Sequence, residues 1–231
     1  MNIPFLIKDM IDCKFDLQEW VNRRSNRQPE KIQGEIINPD FIDYVVSKDG
    51  LKFYPKYLKS VGDILLEYHF DDITEDDVVL DLGANIGAFA LRAARKCKQV
   101  YAIEPLFYKE LYDNVCLNNL AINILVFPVA LGTGDPTKIS FGGKEKIVPT
   151  WTLSKMRELD DITFIKIDIE GAEWLIKPEE LAGMRRIEFE VHTSNGIPEN
   201  PELIEYIKKN WKTTITTEPN FHEGCYIHAG G

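Results

Sequence analysis

The sequence predicts an α/β domain in which a mostly parallel sheet is covered by helices, with an irregular N-terminal extension and an antiparallel C-terminal hairpin. Three observations predict it. From Val78 onward, short runs rich in Val, Ile, Leu, Phe and Tyr alternate with segments of helical period. One run, Val78–Leu82, passes directly into a glycine-punctuated turn, Gly83-Ala84-Asn85-Ile86-Gly87. A chain of 231 residues, 44% hydrophobic and 28% charged, can build one sizeable core but is short for two full domains. Residues 1–77 are therefore read as an extension packed on the main domain, and 78–231 as the main domain.

The extension is the least regular part. Phe5–Val21 has helical apolar spacing, Tyr44–Tyr54 reads as a hairpin turning at Asp49-Gly50, and Tyr57–Phe70 reads as a helix leading into the sheet. Five strands follow: Val78–Leu82, Gln99–Glu104, Asn123–Phe127, Ile162–Asp168 and Ile187–His192. Between the first two, Ile86, Ala90, Ala93 and Cys97 recur at helical spacing while Arg92, Arg95 and Lys96 fall elsewhere, which predicts an amphipathic helix with a solvated basic face. Phe107, Leu111, Asn114 and Asn118 mark a second helix. Near the end, a helix over Pro201–Lys209 precedes Lys212–Thr217 and Gly224–His228, two strands joined by a short loop and read as an antiparallel edge.

Composition narrows the function. The formal net charge of -10 repels a phosphate backbone, which argues against a nucleic-acid partner. No stretch approaches the roughly 20 apolar residues of a membrane helix, and Met1–Asp12 carries Lys8, Asp9 and Asp12, so neither an anchor nor a signal peptide is expected. Cys13, Cys97, Cys116 and Cys225 are too widely separated for a metal or redox pair, and reduced thiols in a cytoplasmic protein are the expectation.

The turn after the first strand carries the chemistry. Glycines there let the backbone approach a nucleotide-like ligand at the carboxyl end of a doubly wound sheet. A dinucleotide site would want G-x-G-x-x-G, whereas this turn reads G-x-N-x-G with Asp81 just ahead of it. A carboxylate repels pyrophosphate but stabilises the ammonium and sulfonium of S-adenosylmethionine. The second strand ends in Glu104-Pro105, and an acidic residue at that tip can accept hydrogen bonds from both ribose hydroxyls.

With these residues in view, the chain resembles the FkbM-type S-adenosylmethionine-dependent methyltransferases. The resemblance runs from about Val78 to His192 and rests on Asp81–Gly87, Glu104-Pro105, Asn114 with Leu117-Asn118, Ala130-Leu131-Gly132 and Lys166–Glu173. It implies the Rossmann-like class I methyltransferase fold, a seven-stranded sheet whose final strand inserts antiparallel beside strand five, and O-methylation of hydroxyl groups. Two departures stand out. Thr152-Leu153-Ser154 replaces the family's Thr-Leu-Asp, and Val126-Phe127-Pro128-Val129 lacks the acidic residue often found near the adenine amino group. Adenine contacts are therefore expected from backbone and apolar groups around Val129 and Ala130.

The expected donor site comprises Asp81, Gly83, Ala84, Asn85, Gly87, Glu104, Pro105, Ala130 and Asp168, with Asp81 supporting the amino-acid end. A hydroxyl acceptor needs a base, and Asp168, Glu170 and His192 are the candidates. No metal is assigned, although two carboxylates could hold a divalent cation. Glu173 is read as a helix-start carboxylate without catalytic duty, and Lys166 as an ion-pair residue or one that positions substrate or an acid. The expected acceptor is a small molecule or glycan. The rivals are an RNA or protein methyltransferase and an inactive S-adenosylmethionine-binding module.

Overall fold

The structure is a computed structural model that describes residues 31–32, 35–36, 44–54, 68–141, 143–192, 196–216 and 225–230. Contacts divide the chain into two compact units, Met1–Asp43 and Tyr44–Gly231. In the first, Lys31–Ile32 pairs antiparallel with Glu35–Ile36. The helix predicted over Phe5–Val21, and most of that over Tyr57–Phe70, lie outside the described residues.

The second unit is built on a seven-stranded sheet: β1 (Val78–Leu82), β2 (Gln99–Ile103), β3 (Ile124–Phe127), β4 (Phe164–Ile167), β5 (Arg186–Val191), β6 (Lys212–Thr216) and β7 (Cys225–Gly230). Their order is β6-β7-β5-β4-β1-β2-β3. Only β7 runs against the other six strands, and it lies between β5 and β6. The hairpin is present as predicted, but its antiparallel strand is internal and the edge belongs to β6. With Tyr226, Ile227, His228 and Ala229 all buried, β7 suits a covered position, whereas Lys212–Thr216 is largely exposed.

Each face of the sheet has its own core. On one side Val79, Val100, Ala102 and Phe164 pack under helices α1 (Ala88–Ala93) and α2 (Tyr108–Leu117). On the other, Leu80, Ile103, Ile165, Ile187, Phe189 and Ile227 meet α3 (Leu153–Met156) and α4 (Pro201–Asn210). The predicted amphipathic helix α1 is buried all round, because a hairpin of Val45–Val46 and Lys52–Phe53 supplies Leu51 and Phe53 to the same core. Arg92, expected on a solvated face, is 5% exposed and pairs with Asp49 of that hairpin at 3.0 Å. A buried guanidinium requires such a partner.

Asn114 and Asn118 fasten the hairpin from α2. The Asn118 side chain accepts from Lys52 N (2.9 Å) and donates to Lys52 O (2.7 Å), in the manner of a neighbouring strand. Asn114 accepts from Tyr54 N (3.0 Å) and donates to Ile86 O (2.8 Å), which ties the hairpin to the turn after β1. Between β3 and β4 lie elements the sequence did not signal. Ala130–Leu131 pairs parallel with Thr150–Trp151, and Thr137–Phe141 pairs antiparallel with Lys144–Val148. The latter ladder is exposed on both faces along most of its length, so it has no apolar alternation to read.

Candidate active site

The turn after β1 folds back over the tip of β4. Gly83 has φ +77°, and a Cβ there would lie 1.8 Å from the Asp168 carbonyl oxygen, so only glycine permits the approach. Gly87 (φ +94°) caps α1, where a Cβ would come within 2.6 Å of a Leu111 methyl. Between them Asn85 sits in the left-handed region (φ 49°), and its N–H donates to Glu104 Oε2 at 2.9 Å. The other Glu104 oxygen accepts from Leu106 N (2.7 Å) and Phe107 N (2.9 Å). Burial pushes the Glu104 carboxyl above the usual range despite these three amide donors.

Beneath the turn, one face of the sheet carries a buried polar row. Lys166 on β4 registers with Asp81 on β1 and with Glu188 on β5, and Glu188 registers with His228 on β7. The Lys166 ammonium, 2% exposed, lies 2.9 Å from Gly83 O, 3.0 Å from Asp168 Oδ2 and 3.4 Å from Asp81 Oδ1. Burial works to discharge it, but Asp168 and then Asp81 outweigh that and hold its pKa above the ordinary lysine value. Asp81 is fully buried, and its carboxylate faces the Lys166 ammonium from the adjacent strand.

Past β4 and β5 the carboxylates gather round His192. Glu173, fully buried in the 3-10 turn Ala172–Leu175, accepts from Gly171 N (2.8 Å) and His192 N (2.8 Å) and meets His192 Nδ1 at 3.1 Å. His192 Nε2 faces Glu190 at 3.4 Å, Glu170 at 3.8 Å and Asp168 at 3.9 Å. Desolvation works against the cation, yet Glu173 and Glu190 raise the His192 pKa to about 11. The surrounding carboxylates therefore favour the imidazolium, which argues against His192 as the base. Glu173 in turn is no passive helix-start residue: it orients the imidazolium. Glu170, with φ 55° and a side chain 49% exposed, is pushed above the usual carboxylate range, first by burial and then by Asp168, Glu190 and Glu173, against the pull of His192.

A sequence profile described as the methyltransferase FkbM domain matches residues 81–211, more than half of the chain. The chain belongs to the FkbM methyltransferase domain family. The matched span contains every candidate site residue, from Asp81 to His192. An uncharacterised protein of Methanocaldococcus jannaschii, MJ1452, is 38% identical over 78 residues, covering 33% of this chain and 28% of that protein. Among solved structures, TYW2 of M. jannaschii in complex with AdoMet is similar at 19% identity, with 78% of this chain and 80% of that chain covered and a TM-score of 0.49. A SAM-dependent O-methyltransferase of Thermotoga maritima, TM0748, is 13% identical with 82% and 77% covered and a TM-score of 0.45.

Within the FkbM domain the structure brings Gly83, Asp168, Glu170 and His192 to one end of the sheet, with Glu104 at the tip of β2. Ala84 is buried and Pro105 partly so. Ala130 is buried with Leu106, Phe107 and Val148, and its N–H donates to Pro149 O at 3.0 Å, so that amide is already spent. Asp168, Glu170 and His192 place one donor atom each within 4.8 Å of one another, a grouping that could hold a metal ion. Trp151 and Trp174 pack inside, and Trp174 Nε1 donates to His192 O at 3.1 Å. Glu190 and Tyr68 were not foreseen. The Tyr68 hydroxyl donates to Glu190 Oε2 at 3.0 Å, and no motif marks either residue.

Proposed function

We propose that this FkbM domain transfers a methyl group from S-adenosylmethionine to a hydroxyl oxygen of a small molecule or glycan. The observation that carries the reading is the closure of the Gly83 turn onto Asp168, which sets the expected donor loop against the half-buried Asp168 and exposed Glu170 carboxylates past the end of β4. The residues fit the donor by charge. Asp168, Glu170 and Glu190 surround the cleft with negative side chains that favour a cationic ligand. Glu104, with three amides bound, retains capacity for a ribose hydroxyl, since a carboxylate accepts about four hydrogen bonds. S-adenosylmethionine, when bound, supplies an electrophilic methyl carbon on a positively charged sulfur.

Glu170 is assigned as the base that takes the hydroxyl proton while the oxygen forms its bond to carbon. Its raised pKa brings it nearer neutrality, and no hydrogen bond among the described residues ties it down. Asp168 is held by Lys166 and serves to orient the acceptor, and the His192 imidazolium keeps the surrounding carboxylates from repelling one another apart. The test is a radiolabelled-methyl screen over fractionated cell extract. Once an acceptor is found, Glu170→Gln is expected to slow turnover by roughly 10²–10⁴-fold, with donor affinity near that of the unmodified protein. Full turnover in that variant removes Glu170 as the base, and labelling confined to nitrogen or carbon removes the hydroxyl acceptor.

A further inference from the structure

Lys166 stands in the middle of a β-strand, between Ile165 and Ile167, where an apolar side chain would be far cheaper to bury. Its ammonium has three protons and four oxygens nearby: Gly83 O at 2.9 Å, Asp168 Oδ2 at 3.0 Å, and Leu82 O and Asp81 Oδ1 at 3.4 Å. The Gly83 carbonyl belongs to the turn expected to receive the donor, and Asp168 belongs to the acceptor side. One nitrogen therefore bridges the two halves of the cleft. Its anchor is Asp81, whose oxygens have no hydrogen-bond donor and whose charge faces the ammonium from the adjacent strand.

We infer that Lys166 is a positioning residue that couples the donor turn to the acceptor-side carboxylate, with Asp81 as the buried counterion that keeps it charged. The inference rests on the proposed function and deepens it. Its physical content is that a shift in the Gly83 carbonyl moves the ammonium, and with it the Asp168 carboxylate. Donor binding thereby sets the acceptor side. Tyr68, its ring centroid 5.5 Å from the ammonium, closes the site from above. The charged groups facing this hub are Asp81 from β1, Glu104 from the tip of β2, Asp168 from the tip of β4, Glu188 beside Lys166 on β5, Glu190 and His192 from the β5 end, and Glu170 from the turn between β4 and β5.

The test uses the full chain, adenosylhomocysteine as the probe, and two variants. Lys166→Met leaves Asp81 buried and unpaired, so it is expected to lose both melting temperature and affinity. The double variant Asp81→Asn with Lys166→Met removes both charges and is expected to recover cooperative melting near that of the unmodified protein. Its calorimetric affinity is expected to stay roughly tenfold or more below normal, the scale of one lost charge-assisted hydrogen bond. The acid limb of its affinity–pH profile is expected to move to higher pH, because the carboxylates at the cleft lose an adjacent cation. If affinity and pH profile return together with melting temperature, Lys166 is structural only and the inference is overturned. If the unmodified protein fails to bind adenosylhomocysteine, the proposed function falls and takes this inference with it.

Discussion

His192 shows how strongly one side chain's chemistry depends on what closes round it. A histidine at the tip of a strand beside two acids reads as either a structural residue or a base, and the fold adds Glu173 and Glu190, which favour its charged form. The sequence could not reveal this, because Glu173 reaches His192 only through a turn that returns its carboxylate to the β5 tip. The raised pKa has a definite sign for stability. What the imidazolium adds is complete below the unfolded value of about 6.5, declines as pH rises, and is gone once pH passes the folded value of about 11. Glu173→Gln is expected to pull the His192 pKa down towards its ordinary value in an NMR titration. It is also expected to cost about 3 kcal/mol in denaturant unfolding at neutral pH, since a buried charge-assisted network loses its acceptor. An unmoved His192 titration in that variant would contradict the assignment of the imidazolium to Glu173.

At the level of elements, the strands from Val78 onward were legible because each is a β-branched run bounded by polar residues, and the register that makes them a site was not. Asp81, Lys166, Glu188 and His228 sit in four separate segments, and only the parallel and antiparallel pairing lines them up across one face. The helical spacing of Asn114 and Asn118 was readable, but their targets were not, since both reach about sixty residues back along the chain. Their function is to substitute for a missing strand partner at the 45–53 hairpin. Asn118→Ala is therefore expected to destabilise the protein by about 1–3 kcal/mol, the range for leaving buried backbone groups unpaired. Amide exchange should rise first at Lys52, ahead of Tyr54, which Asn114 holds, while β1 and β4 stay protected; unchanged protection at Lys52 would refute this role for the asparagine.

For the molecule as a whole, the charge distribution and the topology agree. A chain of net charge -10 concentrates carboxylates at the carboxyl end of a parallel sheet, where open α/β folds bind their ligands. Two apolar cores hold that sheet from both sides, so the site is framed by rigid strands and completed by two turns, Gly83–Gly87 and Asp168–Glu173. The account's central claim is that these turns enclose S-adenosylmethionine. The most direct measurement is a crystal structure with adenosylhomocysteine bound. We expect its ribose against Glu104 and its sulfur facing the Asp168 and Glu170 carboxylates. Density for the ligand elsewhere, or a cleft that stays closed at saturating concentration, would contradict the account.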